Sequence, residues 1–207
     1  MGDALPATAS ERGLGRLFLR KFLRDPKDVA SVWPSSRWLA RAMLRDVVLP
    51  TGGGVVELGP GTGAFTAPIL ELLASAGGGG YLGIERDAEF CDLMRRRFPR
   101  VEFAWADAAT LATQLAARPG LQPFAVVSGL PLVAMPKPMV AELVRTAHAA
   151  VPVGGWFCTF SYQHSLVNPA QWWLRRLLRT TFGRLEVRPV LRNVPPALVF
   201  AARKIAV

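Results

Sequence analysis

Glu57, Gly59, Gly61 and Gly63 occupy alternate positions in the stretch Val55-Val56-Glu57-Leu58-Gly59-Pro60-Gly61-Thr62-Gly63-Ala64-Phe65. Two β-branched residues lead into an acid, and three glycines follow before a helix-like pattern begins. The pattern predicts a buried strand that turns into a helix through a loop almost free of side chains. Glycine permits positive φ and lets a ligand come close to the backbone. The amides at the start of the next helix then face whatever is held there. Gly59, Gly61 and Ala64 also satisfy the loose dinucleotide fingerprint G-x-G-x-x-G/A. A dinucleotide loop must face a pyrophosphate, however, and the Glu57 carboxylate would repel it. A loop that wraps a different ligand is favoured over both a dinucleotide loop and a bare strand-to-helix turn.

Two further acids close the next strand patterns. Tyr81-Leu82-Gly83-Ile84-Glu85-Arg86-Asp87 reads as a second strand, and Glu85 lies 22 residues past Gly63. In a Rossmann-like unit an acid at that point accepts hydrogen bonds from ribose hydroxyls. Asp87 is placed to cap a helix running to about Phe98. Val101 to Asp107 alternates as a third strand, with Asp107 and Ala108 at its end. Three successive strand-end acids exceed what helix capping requires.

The remaining elements must bring these groups to one edge. A helix is expected over Phe65 to Ser75, a tetraglycine turn over Gly77 to Gly80, and a helix over 108–117. Pro123 to Val127 is a fourth strand running into Ser128-Gly129-Leu130-Pro131-Leu132. A helix over 138–150 and a fifth strand, Trp156 to Tyr162, follow, and Tyr162-Gln163-His164 then faces the same cleft. Leu185 to Val194 and Pro196 to Lys204 read as a closing antiparallel pair. The alternation predicts an α/β fold, a Rossmann-like doubly wound sheet with ligands at the carboxyl ends of its strands.

The chain has 207 residues and a net charge of +10, and 51% of it is hydrophobic. That length suits one domain with a short appendage. Basic charge is a statement about partners, and it fits nucleic acid or an anionic membrane surface. Basic and greasy character together favour the membrane. Ser10 to Arg24 reads as an amphipathic helix ended by Pro26. Leu14, Phe18 and Phe22 lie on one side of it, and Arg16, Arg20 and Lys21 on the other. Such a helix suits a lipid interface, or it packs its apolar side on the domain. Residues 1–30 are therefore expected to be a membrane-interacting extension and 31–207 the catalytic domain. Trp33, followed by Pro34, Ser35 and Ser36, marks a helix onset. A second greasy and basic helix, Asn168 to Thr181, carries Trp172 and Trp173 beside Arg175 and Arg176, a membrane-interface pairing. It also suits a sheet cover. Cys91 and Cys158 lie in apolar contexts without metal spacing and are expected to be reduced and buried. No apolar run is long enough to span a membrane, and the N-terminus lacks a secretory-signal pattern.

Glu-x-Gly-x-Gly-x-Gly at Glu57–Gly63 resembles the first motif of class I S-adenosylmethionine-dependent methyltransferases. Trp33-Pro34-Ser35-Ser36, Leu39-Ala40-Arg41-Ala42-Met43 and Ser128-Gly129-Leu130-Pro131 further resemble the bacterial phospholipid N-methyltransferases. The resemblance covers residues 31–203. It implies a seven-stranded sheet, S-adenosylmethionine as methyl donor, S-adenosylhomocysteine as product and no metal. It places Ser35, Ser36, Glu57, Gly59, Pro60, Gly61, Thr62, Gly63, Glu85, Arg86, Asp107, Ala108 and Ser128 around the cofactor. Glu57 would support the cofactor's amino group, and Asp107 the adenine amine. The implied reaction is stepwise methylation of phosphatidylethanolamine toward phosphatidylcholine. The expected setting is cytoplasmic, peripheral on the inner face of the cell membrane.

Under that reading Ser128, the Leu130 carbonyl, Tyr162 and His164 are candidates to hold the acceptor amine or take its proton, with Tyr162 foremost. Arg188 or Arg192 would meet the headgroup phosphate. Three rival readings fit the residues less well. An rRNA adenine dimethyltransferase carries Asn-Leu-Pro-Tyr where Gly129 and Leu132 stand here, so both base-reading groups are missing. A degenerate fold that only binds anionic membrane has no need of three cofactor acids. An NAD-dependent oxidoreductase lacks a Tyr-x-x-x-Lys pair. No nucleic-acid partner is expected, and a monomer is favoured.

Overall fold

The computed structural model describes residues 37–162 and 169–206. The expected amphipathic helix with Arg16, Phe18, Arg20, Lys21 and Phe22 lies outside the described residues. So do Trp33, Ser35, Ser36 and His164. Among the described residues, no helix is long and apolar enough to cross a membrane.

The elements follow in order as α1 (Arg37–Leu44), β1 (Gly52–Leu58), α2 (Thr66–Ser75), β2 (Gly79–Glu85), α3 (Ala88–Arg97) and β3 (Glu102–Trp105). A short 3-10 turn (Ala108–Thr110) leads into α4 (Leu111–Ala116), β4 (Pro123–Ser128), α5 (Lys137–Ala150) and β5 (Trp156–Tyr162). The chain continues through α6 (Pro169–Phe182), β6 (Gly183–Val190) and β7 (Ala197–Lys204). The strands form one seven-stranded sheet in the order β3-β2-β1-β4-β5-β7-β6. β1 to β5 are parallel, and β7 runs antiparallel between β5 and β6. This is the expected doubly wound α/β fold.

The two faces of the sheet make two apolar cores. On one, Leu39 and Met43 of α1, Ile69 of α2 and Met94 of α3 pack over Val55, Val127, Cys158 and Val199. On the other, Val144 of α5 with Leu174, Leu178 and Phe182 of α6 covers Val56, Leu58, Val126, Phe157 and Phe200. Parallel strands covered on both sides read as continuous apolar runs, and β4 and β5 are buried along almost their whole length. Cys91 and Cys158 are both free and buried. Burial pushes the Cys158 thiol up to about 12.

The glycine-rich segment after α2 differs from the expected turn. Only Gly77 and Gly78 make it, at φ +83° and +99°. Gly79 and Gly80 already belong to β2. The reason is proximity: a Cβ on Gly79 would fall 2.3 Å from the Gly53 carbonyl oxygen. Glycine there lets two strands approach that any larger residue would hold apart. α6 divides its tryptophans. Leu174 and Leu178 are buried, Trp173 packs against the core, and Trp172 is 60% exposed.

Candidate active site

In a parallel sheet the loops at the carboxyl ends of the strands share one edge, and the order reverses between β1 and β4. Glu57, Glu85, Ser128 and Tyr162 are the terminal or penultimate residues of β1, β2, β4 and β5, and Asp107 follows β3. The fold thus gathers at one edge the groups expected there.

The loop 59–65 is held by its neighbours' backbone and by Glu85. Gly59 N–H donates to the Ile84 carbonyl at 2.9 Å, and Gly129 N–H donates to the Leu58 carbonyl at 2.8 Å. Glu85 Oε2 accepts from Gly61 N–H at 2.9 Å, and its Oε1 accepts from Asp87 N–H at 3.0 Å. Burial raises the Glu85 pKa, and these two amides oppose the rise. Arg97 adds a guanidinium hydrogen bond to the Thr62 carbonyl at 2.8 Å. Gly59, Gly61 and Gly63 all have positive φ. A Cβ at Gly59 would come within 2.7 Å of the Leu130 side chain, and one at Gly63 within 2.8 Å of Met94.

Glu57 is fully buried. Its Oε2 accepts from Thr66 Oγ1 at 2.7 Å and from Tyr81 Oη at 2.5 Å. Its Oε1 is buried with no hydrogen-bond partner. Desolvation lifts its pKa from 4.5 to about 7, against the pull of the Tyr81 and Thr66 hydroxyls. A buried carboxylate oxygen without a donor is costly, and an ammonium group or a bridging water would satisfy it. Thr66 and Tyr81 were not legible as site residues. Their only signal was spacing: Tyr81, Gly83 and Glu85 lie on one side of β2, and Gly83 stands opposite Glu57. Gly83 leaves room for the Tyr81 phenol, since a Cβ there would sit 3.0 Å from Tyr81 Oη.

Leu132 does not face the cleft; it is buried in the second core, so that position offers no surface for a stacked base. Gly129 has no room for any side chain, because a Cβ would lie 2.7 Å from the Gly59 carbonyl oxygen. Ser128 is buried, and its Oγ accepts from Leu130 N–H at 3.3 Å. Tyr162 is 7% exposed, with its ring edge-on to Phe160 at 5.5 Å. Asp107 caps the 3-10 turn through Ala109 N–H at 2.8 Å. Arg86 and Ala108 adjoin the two acids.

Arg188 has an intramolecular role in place of the open cation expected for a headgroup. Its guanidinium is paired with Asp46 and donates to the Ala42 carbonyl at 3.4 Å, tying β6 to the end of α1. Arg192 instead lies over the Trp38 ring, 4.9 Å from its centre. Among the described residues no cluster of three or more His, Cys, Asp or Glu could hold a metal ion.

No family model matches the chain. It is 32% identical over 190 residues to the ornithine lipid N-methyltransferase of Singulisphaera acidiphila, covering 90% of this chain and 94% of that protein. The chain belongs to the lipid N-methyltransferases. The likeness to ribosomal RNA small subunit methyltransferase A of Prosthecochloris aestuarii, 33% identical, spans 67 residues, 32% of this chain and 24% of that one. Among solved structures, the 1,6-didemethyltoxoflavin N1-methyltransferase of Burkholderia thailandensis superimposes with a TM-score of 0.62 at 18% identity. That match covers 100% of this chain and 94% of that one. A TehB-like methyltransferase of Corynebacterium glutamicum gives 0.57 at 14% identity, over 92% and 99%. Both likenesses carry the class I methyltransferase fold. This lipid N-methyltransferase is accordingly an S-adenosylmethionine-dependent enzyme. Its residues fit that cofactor: an orphaned buried carboxylate oxygen sits beneath a glycine loop in which Cβ atoms would collide with neighbouring groups.

Proposed function

We propose that this lipid N-methyltransferase methylates, stepwise, the primary amine of a membrane aminolipid while peripherally bound to an anionic membrane surface on the cytoplasmic side. The acceptor is phosphatidylethanolamine or an ornithine lipid. The first is supported by the Pro-Ser-Ser and Ser-Gly-Leu-Pro segments, the second by the near full-length relative. The acceptor class is carried by the Ser128–Leu132 turn. Gly129 admits no amide side chain and Leu132 is buried, so a planar base would find neither a side-chain amide partner nor a stacking platform. Stacking is worth about 1–3 kcal/mol per base. A flexible alkylamine needs neither.

S-adenosylmethionine supplies a methyl group already activated on a sulfonium, so catalysis is mainly proximity and orientation. Glu57 presents its unpartnered oxygen to the cofactor's amino group, Glu85 holds the ribose and Asp107 the adenine edge. Gly59, Pro60, Gly61, Thr62 and Gly63 wrap the methionine portion. The acceptor arrives as an ammonium and must lose a proton before its lone pair can attack. The Leu130 carbonyl and the Tyr162 hydroxyl oxygen accept hydrogen bonds from its N–H groups, and as the phenol takes the ammonium proton it gives up its own to water at the mouth of the cleft.

Incubation of the protein with labelled methyl donor and vesicles tests this reading. Vesicles containing phosphatidylethanolamine, ornithine lipid or neither are compared, with ribosomal RNA as a further arm. Label in an aminolipid arm alone is expected, and the arm identifies the headgroup. Label in RNA, or in no lipid, overturns the proposal.

A further inference from the structure

Trp38, on the first turn of α1, is met by three guanidiniums from two elements. Arg37, Arg41 and Arg192 lie 5.2, 5.8 and 4.9 Å from its ring centre. Cations gather on an indole face because its quadrupole is negative there. Three at one ring nevertheless repel one another. The described segments that carry them offer no acid to offset that repulsion: residues 37–45 and 187–204 contain none. Asp46 is committed to Arg188 and Glu186 to Arg184. Among the described residues none of the three guanidiniums has an ion-pair partner. Beside them the β6–β7 loop exposes two aliphatic side chains, Leu191 at 70% and Val194 at 69%.

Strand register fixes where this group sits. Tyr162, the last residue of β5, is opposite Ala197, and Ala197 is opposite Val190. The loop joining β6 to β7 therefore lies beyond the carboxyl end of β5, on the rim next to the acceptor side of the cleft. Arg192 reaches Trp38 from that loop, while Arg188, further down β6, reaches Ala42 and Asp46. The start of α1 thus points toward the same rim.

We propose that Arg37, Arg41 and Arg192 around Trp38, with Leu191 and Val194 of the β6–β7 loop, form a docking surface for an anionic phospholipid leaflet that seats the acceptor side of the cleft on the bilayer. The proposal deepens the lipid reading and rests on it for its biological sense. Its occupant follows from charge complementarity. Three cations without an ion-pair partner among the described residues attract anions, an indole prefers the headgroup zone, and two exposed aliphatic side chains suit the acyl boundary. A soluble phosphate would leave Leu191 and Val194 in water.

The test measures binding and uses neither aminolipid nor methyl transfer, so its result is independent of whether the acceptor has been identified. The full chain is co-sedimented with phosphatidylcholine vesicles lacking or containing phosphatidylglycerol. The variant R37Q/R41Q/R192Q is compared with R96Q/R100Q/R145Q, which removes equal charge from exposed positions elsewhere. Each basic side chain at an anionic surface contributes roughly a factor of five. The cluster variant should lose about a hundredfold in affinity for the phosphatidylglycerol vesicles, and the control far less. L191S/V194S should weaken binding several-fold while retaining the preference for phosphatidylglycerol. S-adenosylhomocysteine binding and the thermal midpoint confirm that each variant is folded. Should the triple variant not fold, R192Q alone is expected to lose about fivefold. Unchanged affinity in the folded cluster variant, or a loss no larger than the control's, overturns the proposal.

Discussion

The Tyr81 hydroxyl donates to Oε2 of Glu57 at 2.5 Å, across the β1–β2 pair and over the gap that Gly83 leaves. Thr66 donates to the same oxygen, so both hydroxyls serve one side of the carboxylate and Oε1 is left for another donor. Burial outweighs these two hydrogen bonds, which poises the group at about 7. Neutral pH is therefore where the site is most sensitive.

Cofactor affinity should follow the ionisation of Glu57. Calorimetric titration with S-adenosylhomocysteine is expected to show affinity rising between about pH 6 and 8. Tyr81→Phe removes a donor that favours the charged form, so it moves that midpoint upward and lowers affinity at pH 7 by about 3- to 10-fold. Glu57→Gln should bind about 10- to 100-fold more weakly and without the pH dependence. A pH-independent wild type would show that Glu57 does not meet the cofactor.

The stability of the ligand-free protein should run the other way. The folded pKa of Glu57 is raised from 4.5 to about 7, so protonation favours the fold. That contribution is complete below pH 4.5 and is lost as pH rises through about 7. Raised Glu85 adds with the same sign. Urea unfolding should show a loss on the order of 3 kcal/mol between pH 4.5 and 8. Glu57→Gln flattens the profile, and S-adenosylhomocysteine restores wild-type stability at the alkaline end.

Introducing the groups used to read a base should not create an RNA methyltransferase. An asparagine at Gly129 meets the Gly59 carbonyl and pushes on the cofactor loop, so Gly129→Asn should weaken S-adenosylhomocysteine binding at least tenfold, a ~1.4 kcal/mol effect. Leu132→Tyr overpacks a core site and should cost about 1–3 kcal/mol in denaturant unfolding. Methylation of adenine by the double variant would show that the turn does reach the acceptor as a base reader.

Tyr162→Phe tests the assignment of the acceptor side. Loss of a positioned proton acceptor predicts a fall in kcat of about 10- to 100-fold on aminolipid vesicles, with S-adenosylhomocysteine affinity unchanged. Wild-type turnover would remove Tyr162 from the mechanism.

Arg188 and Asp46 should behave as a fold-stabilising pair. Both side chains are largely withdrawn from solvent, at 17% and 35% exposure. A double-mutant cycle of Arg188→Gln and Asp46→Asn should give a coupling of about 1 kcal/mol in urea unfolding. Neither variant should alter headgroup preference. A changed preference would return Arg188 to the acceptor site.

The strand-end acids were legible because position and chemistry agree in a parallel sheet. A Glu-x-Gly-x-Gly-x-Gly stretch announces its own loop, and Glu85 and Asp107 follow at the intervals a strand–helix unit requires. Sequence spacing does not report what surrounds a side chain. Thr66 and Tyr81 around Glu57, and Arg97 on the Thr62 carbonyl, are brought in by α2, β2 and α3. Arg188 looked like an open cation because its partner, Asp46, lies 142 residues earlier. Alignment already showed that Leu132 lacks an aromatic ring, but not that its side chain turns inward to the core. The glycine run misled for a related reason: Gly79 and Gly80 serve close strand contact and not bending.

The position of β7 has a consequence for the newborn chain. It follows every other strand in chain order yet lies between β5 and β6. During N-to-C synthesis β6 therefore emerges before the strand that connects it to the sheet. Until Ala197–Lys204 arrives, β5 and β6 both present unpaired amides and carbonyls, an invitation to chaperones or to self-association. The segment is a keystone: a chain cut before Ala197 would keep both edges open and should self-associate.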